Sequence, residues 1–125
     1  IDQFASFQVF DDLYVNGELT QGENIGDLSG LTISYAAYKM SLNGEEAPVI
    51  DDLTGDERFF LGYGQVWKYK ATEEAMRNRV QTDPHSPPEF RVNGPLPNMP
   101  EFHAAFNVQE GDKLYLPPEE RVKIW

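Results

Sequence analysis

The sequence predicts an all-α fold, mainly helical with long, ordered, proline-rich loops. Strand-like alternation is sparse, while apolar residues recur at helical spacing in several segments. Most of the nine prolines lie in one connecting stretch, residues 81–102, which is dense in turn signals. The chain has 125 residues, 40% of them hydrophobic, which is enough for one domain with its own core.

The N-terminal half contains two predicted helices. The first covers residues 1–13 and carries five apolar side chains: Phe4, Phe7, Val9, Phe10 and Leu13. A turn-rich connector follows, with Asn16-Gly17 as its sharpest turn signal. The second helix covers residues 21–43 and ends near Asn43-Gly44, where a glycine suits the C-cap.

The C-terminal half continues the helical pattern. After a loop, an aromatic-rich segment from Thr54 to Lys70 is predicted to be helical, and another helix covers residues 72–81. The second of these has four charged side chains on its solvated side: Glu73, Glu74, Arg77 and Arg79. A short helix over residues 100–106 follows the proline-dense stretch, and the tail is irregular or extended.

Composition narrows the classes of partner. The net charge is −11, and phosphate binding needs clustered cations, so we expect no nucleic-acid partner and repulsion from anionic membranes. The same acidity also serves as a solubility device. No apolar run approaches the roughly 20 residues that cross a bilayer, so no membrane segment is expected in this chain. The absence of cysteine excludes disulfides, cysteine nucleophiles and thiolate metal sites.

Two carboxylates share one face of the second predicted helix. Glu23 and Asp27 lie there together with small residues, and an apolar stripe runs beside them: Leu28, Leu31, Tyr35, Tyr38 and Leu42. The small residues of this face (Gly30, Ser34 and Ala37) leave room for another helix, so the acids are predicted to be covered and unpaired. Buried carboxylates need a compensating charge, and a metal ion is the economical candidate. Glu23 has a second interpretation, because Thr20 and Glu23 have the spacing of a capping box.

A stiff loop presents a histidine near an arginine. Ser86-Pro87-Pro88-Glu89 predicts a helix start, with Ser86 as N-cap and a capping box closed by the glutamate. His85 precedes this start as a candidate oxyanion donor, Asp83 can orient its ring, and Arg91 can anchor a carbonyl or carboxylate. The alternative is a satisfied loop histidine beside a surface arginine. His103, on the short helix, is interpreted as structural or surface-exposed.

These segments together resemble the neprilysin family of zinc metallopeptidases, which includes endothelin-converting enzymes and bacterial oligopeptidase O. Glu23-Asn24-Ile25-Gly26-Asp27 matches the family's Glu-Asn-Ile-Ala-Asp helix, with glycine for alanine. Asp83-Pro84-His85-Ser86-Pro87 matches its Asp-x-His-Ser-Pro loop, and Phe90-Arg91 follows as in the family. The aromatic segment FFLGYGQVW and the final Trp125 fit as well. The resemblance covers essentially the whole chain, with the motifs in the right order.

The resemblance implies a role for each site residue. Glu23 would be a zinc ligand, and Asp27 would hold a histidine ligand in its tautomer and orientation. His85 would stabilise the oxyanion formed when the peptide carbonyl is attacked. Arg91 would grip a backbone carbonyl or C-terminal carboxylate of an oligopeptide substrate, with a large apolar residue preferred on the primed side.

The H-E-x-x-H helix of the family, which supplies two zinc ligands and a glutamate base, is absent from these 125 residues. The chain has two histidines, His85 and His103, and opens without an initiator methionine. We therefore expect the C-terminal part of a zincin-type catalytic domain, whose partner is the missing N-terminal part of the same domain. We expect the isolated chain to be inactive, to bind zinc weakly and to be able to self-associate through its uncovered face.

Two further expectations complete the sequence-based interpretation. The lack of cysteine contrasts with the disulfide-rich animal members of the family and indicates a bacterial-type protein, in either the cytoplasm or the periplasm. The alternative function is a non-catalytic helical interaction module derived from such a peptidase.

Overall fold

One long helix, α2 (Gly17–Ser41), organises the chain. The structure is a computed structural model that describes residues 1–124; Trp125, whose position matches the family's final tryptophan, lies outside the described residues. Asn16 begins α2, because its side-chain oxygen accepts a hydrogen bond from the backbone N–H of Leu19. The predicted turn at Asn16-Gly17 is thus the helix start. The helix ends as predicted, before Asn43 and Gly44 adopt positive φ angles of 52° and 85°.

The remaining helices are shorter and confirm the mainly helical fold class with long ordered loops. They are α1 (Asp2–Ala5), α3 (Gly55–Val66), α4 (Glu73–Thr82), α5 (Pro88–Asn93) and α6 (Pro100–Phe106), with 3-10 turns at Leu96–Asn98 and Pro118–Glu120. Thr54 and Glu57 form a full capping box at the start of α3. This helix ends at Val66 rather than at Lys70.

The prediction of a helix over residues 1–13 is wrong. Only Asp2–Ala5 is helical, and an antiparallel hairpin of β1 (Gln8–Phe10) and β2 (Leu13–Tyr14) follows. The physical reason is tertiary. Phe7 stacks on Phe90, with 4.8 Å between the ring centroids. The side chain of Phe7 is thus packed against a ring distant in sequence, and not along the apolar stripe of a helix that its spacing had suggested.

The core lies between α2, α3 and α6 and fixes the proline-rich stretch onto α2. Its fully buried apolar members are Leu28, Leu31, Phe60, Leu96, Met99 and Phe102. The apolar stripe predicted on α2 is confirmed for three of its five members: Leu28 and Leu31 are in this core, and Tyr35 packs against it. Residues 94–99 are buried without interruption, which holds the segment after the site loop in place.

The opposite face of α2 is open. Among residues 1–124, and apart from the local helix backbone and the adjoining residues, no atom lies within 4 Å of the position that a Cβ would take at Gly22, Gly26 or Gly30. Ile25 and Ile33 on the same helix are 42% and 59% exposed. The face for which the sequence predicted cover adjoins this one, and its small residues Gly30, Ser34 and Ala37 are exposed too, so the described residues do not provide that cover. None of the helices described in residues 1–124 is both long enough and apolar enough to span a bilayer.

Candidate active site

An arginine and a carboxylate from the two predicted motifs form the central ion pair of the site. The Nε and Nη2 atoms of Arg91 donate to Oδ2 and Oδ1 of Asp27, at 2.7 and 2.6 Å. The two side chains are only 15% and 11% exposed. The guanidinium also lies over the ring of Trp67, 4.0 Å from its centroid. The hydrogen bonds to Asp27 raise the pKa of Arg91 above its ordinary value.

The histidine lies between two carboxylates beside this pair. Nε2 of His85 is 2.9 Å from Oε2 of Glu23, and Nδ1 is 2.7 Å from Oδ1 of Asp83. The backbone N–H of His85 also donates to Oδ1 of Asp83, at 2.9 Å. That backbone hydrogen bond, followed by the contact with the ring, lowers the pKa of Asp83. Asp83 is thus placed to orient the ring, as the sequence predicted.

Glu23 and Asp27 of α2 are not unpaired, which corrects the expectation from the sequence. Arg91 compensates Asp27, and His85 contacts Glu23, so residues 60 and more positions later supply the partners. The predicted cover is also partial, because the Glu23 side chain is 44% exposed. The capping-box interpretation of Glu23 is wrong, because α2 begins at Gly17 and Thr20 lies inside the helix.

The capping box predicted at Ser86 is wrong as well. Helix α5 starts at Pro88 with Pro87 as its N-cap residue and no side-chain cap. The Ser86 hydroxyl instead donates to Oδ1 of Asn24, at 2.7 Å. His103 is buried, and its Nε2 donates to the carbonyl of Pro97 at 2.8 Å, which agrees with a structural role.

Four residues of the site region were not identified from the sequence: Asn24, Ser86, Trp67 and Tyr63. The hydroxyl of Tyr63 donates to the carbonyl of Arg91 at 2.8 Å, and burial, together with the charge of Asp27, raises the pKa of Tyr63 to about 12. Asn24 had a sequence signal, because it lies four residues before the core residue Leu28 and is polar. Trp67 had none, since its position over Arg91 depends on how α3 packs.

Comparison with known proteins identifies the family. The family model described as Peptidase family M13 matches residues 1–122. The chain belongs to peptidase family M13. Neprilysin-1 of Caenorhabditis elegans is 42% identical to this M13 chain over 131 residues, and human endothelin-converting enzyme 1 is 38% identical over 129 residues. Both alignments cover 100% of the chain but only 17% and 16% of those relatives, so the chain spans about a sixth of their length.

Solved structures of the family share the fold of the M13 chain. The zinc metalloprotease Zmp1 of Mycobacterium tuberculosis in its open state superposes with a TM-score of 0.96 and 47% identity, over 100% of this chain and 20% of that one. PepO from Lactobacillus gives a TM-score of 0.81 and 33% identity, over 99% and 18%. Bacterial proteins are thus among the similar structures, in agreement with the bacterial-type prediction.

The M13 chain does not contain a complete metal site in its described part. Within residues 1–124, no three histidine, aspartate or glutamate side chains are grouped so that they could hold a metal ion. Glu23 is nevertheless half-exposed at the rim of the site and presents a carboxylate, a donor type that zinc accepts. The chemistry of Glu23 therefore fits a zinc site in which this carboxylate is one ligand of a larger set.

Proposed function

We propose that this chain is one segment, residues 1–125, of the catalytic domain of a zinc-dependent endopeptidase that hydrolyses peptide bonds in oligopeptides. The observation that carries the proposal is the meeting of the two M13 motifs at one place. Glu23 and Asp27 from α2 contact His85 and Arg91 from the following loop and α5. Since the chain spans 17% of the length of Neprilysin-1, the remainder of the site would come from other parts of the polypeptide.

Glu23 is the zinc ligand in this proposal. Its position at the exposed rim leaves it accessible to two nitrogen ligands from elsewhere in the domain, which a catalytic zinc site requires. When bound, zinc polarises the scissile carbonyl and lowers the pKa of a water molecule. A single carboxylate holds zinc weakly, so the chain by itself should not retain the metal.

His85 stabilises the oxyanion in the proposed reaction. Its Nε2 is directed toward Glu23 at 2.9 Å, which places a proton donor beside the carboxylate that would bind zinc. Asp83 accepts from the other ring nitrogen, and the backbone N–H of His85 holds Asp83 in place, so the ring cannot rotate without losing its contacts with Asp83 and Glu23. A donor held in advance next to the developing negative charge is the feature that lowers the barrier of such reactions.

Arg91 binds the substrate, and Asp27 holds both Arg91 and a histidine ligand. Nε and Nη2 of Arg91 are committed to Asp27, whereas Nη1 has no hydrogen-bond acceptor within residues 1–124 and remains for a substrate carbonyl or carboxylate. Each carboxylate oxygen of Asp27 accepts one hydrogen bond from Arg91 and has the capacity for a second, so a histidine N–H can still donate to it. A pocket of about 190 Å³ beside His85 and Arg91, with Trp67 in its wall, suits a large apolar substrate residue.

The metal content of the full-length protein tests the assignment of Glu23. We expect Glu23→Gln to abolish zinc binding and peptide hydrolysis, because it removes a charged ligand. Glu18→Gln, an exposed acid in the first turn of the same helix, is the matched control and should change neither. Zinc retained by Glu23→Gln at the level of the control would reject the assignment. Chelator-sensitive hydrolysis by the 125-residue chain alone would reject the view that its site is incomplete.

A second candidate is a non-catalytic helical interaction module derived from such a peptidase. The open face of α2 favours it, since Ile25 and Ile33 are exposed beside glycines that would allow close approach of another helix. Under the leading proposal this face contacts the rest of the catalytic domain, and in the isolated chain it promotes self-association. A full-length protein without zinc and without hydrolytic activity would favour the module. Light scattering that shows a strict monomer of the isolated chain would count against self-association.

A further inference from the structure

A buried chain of hydrogen bonds connects the two motifs directly underneath the site. The hydroxyl of Thr20 donates to the carbonyl of Asn16 at 2.9 Å, Nδ2 of Asn24 donates to Oγ1 of Thr20 at 2.9 Å, and Oγ of Ser86 donates to Oδ1 of Asn24 at 2.7 Å. Thr20, Asn24 and Ser86 are only 2%, 6% and 3% exposed. Three polar side chains are therefore buried in succession, and each is satisfied by the next.

The direction of this chain is determined by its first member. The one hydroxyl proton of Thr20 is used on Asn16, so Thr20 can only accept from Asn24. The amide of Asn24 must therefore turn its nitrogen toward Thr20 and its oxygen toward the loop. Ser86 meets that oxygen with its only donor instead of capping α5, whose N-terminus has no side-chain cap. The Ser86 side chain thus bonds to a residue 62 positions away in sequence and does not cap the helix that follows it.

The hydrogen bond between Ser86 and Asn24 joins two residues that each adjoin a site residue in the sequence. Asn24 directly follows Glu23, and Ser86 directly follows His85. The pair of His85 and Glu23 is itself 42% and 44% exposed, and a pair so exposed to water holds little geometry by itself. Breaking a buried hydrogen bond leaves an unsatisfied polar group and is costly, so the bond beneath defines the distance between α2 and the loop.

We propose that Asn24 and Ser86 are positioning residues whose buried hydrogen bond holds His85 in register with Glu23. The proposal rests on the peptidase function proposed above. Arg91 is held separately by its own ion pair with Asp27. Loss of the buried bond therefore displaces the oxyanion donor and leaves the substrate anchor in place.

Kinetics of the full-length protein distinguish positioning from a general loss of stability. We expect Ser86→Ala to lower kcat by about ten- to a hundredfold, the loss typical of a displaced catalytic group, while KM stays near the wild-type value. Thr32→Ala is the matched control: it removes a hydroxyl that donates to the carbonyl of Leu28 on the same helix, and it should leave kcat unchanged. The proposal would be overturned if Ser86→Ala kept the wild-type kcat. It would also be overturned if KM rose by the same factor by which kcat fell.

A double variant separates the two effects further. Asn24→Leu combined with Ser86→Ala replaces both partners by apolar groups, which can restore stability because no buried polar atom is left unpaired. We expect the double variant to be more stable than Ser86→Ala alone but equally low in kcat. Recovery of kcat together with stability would show that the pair has only a structural role.

A measurement on the 125-residue chain keeps this proposal separate from the peptidase function. In NMR spectra, a nuclear Overhauser effect between the His85 ring and the γ-methylene of Glu23 reports the register without zinc or substrate. We expect it in the wild type and in Thr32→Ala, and we expect its loss in Ser86→Ala. Its persistence in Ser86→Ala would refute the positioning role. A full-length wild type that hydrolyses no peptide would refute the proposed function, while the NMR comparison would still decide the register.

Discussion

Replacing Arg91 with methionine tests whether the ion pair with Asp27 stabilises the region of the site. Methionine retains an apolar side chain over Trp67 but removes both hydrogen bonds to the carboxylate. Breaking a fully buried pair costs about 3–5 kcal/mol, and an exposed pair contributes about 0–1 kcal/mol. The side chains here are 15% and 11% exposed, close to the buried limit. We therefore expect Arg91→Met to lower the free energy of unfolding by about 3 kcal/mol, the lower end of the buried range.

The control is another ion pair of α2 that is exposed to water. Nζ of Lys39 lies 3.1 Å from Oδ1 of Asp56, with side chains 48% and 32% exposed. We expect Lys39→Met to cost about 0.5 kcal/mol. Both variants are measured by urea denaturation of the 125-residue chain, followed by far-ultraviolet circular dichroism, with slopes compared to verify a common unfolding transition.

A double-mutant cycle isolates the interaction itself. Asp27→Leu together with Arg91→Met leaves no unpaired charge, so we expect the double variant to recover about 2 kcal/mol relative to the sum of the single variants. The reasoning would be refuted if Arg91→Met cost no more than Lys39→Met. It would also be refuted if the two single effects simply added.

Three further predictions concern the surroundings of the site in the same 125-residue chain. Gly26→Ala should raise the free energy of unfolding by about 0.5–1 kcal/mol, because alanine favours the helix and its methyl group meets open space; a loss of stability by urea denaturation would contradict this. Gly94→Ala should lower it by about 1–3 kcal/mol, because the new Cβ would meet the ring of Phe4 and lie 2.6 Å from the carbonyl oxygen of Phe90; an unchanged denaturation midpoint would show that the loop yields easily. The folded state holds the Tyr63 proton more tightly than the unfolded state, because the pKa of Tyr63 in the folded chain is about 12. The contribution of this group to stability is therefore complete below pH 10 and is lost as the pH rises toward about 12. Tyr63→Phe should remove this part of the alkaline loss of stability, and identical profiles of stability against pH for the two proteins would contradict this expectation.

Helices α2, α3 and α4 were predictable because their signals are local. Thr54 and Thr72 cap α3 and α4 through bonds to backbone N–H groups three residues away, and a positive φ at Gly44 follows the end of α2. Such interactions need only neighbouring residues. The candidate site residues could be selected for a related reason: the two motifs are short and contiguous, so each can be recognised without knowing how the segments meet.

The partners of the site residues were not predictable in the same way. Asp27 and Arg91 are 64 residues apart, and either could have faced a metal ion, water or another segment. Ser86 had an equally good local role as a helix cap, but in the structure its hydroxyl donates to Asn24 and caps no helix. The choice between such alternatives depends on which surfaces the core brings together, and this information is distributed over the whole chain.

The sequence by itself determined the helical class, the end of the long helix near Gly44, the starts of its two capped neighbours, and the choice of Glu23, Asp27, His85 and Arg91 as candidate site residues. Only the tertiary structure decided that residues 8–14 form a hairpin, that Glu23 and Asp27 have partners within the chain, and that Asn24 and Ser86 are joined beneath them. Helix propensity and capping act over a few residues, whereas the pairing of distant polar groups is determined by burial, which penalises every polar group left without a partner.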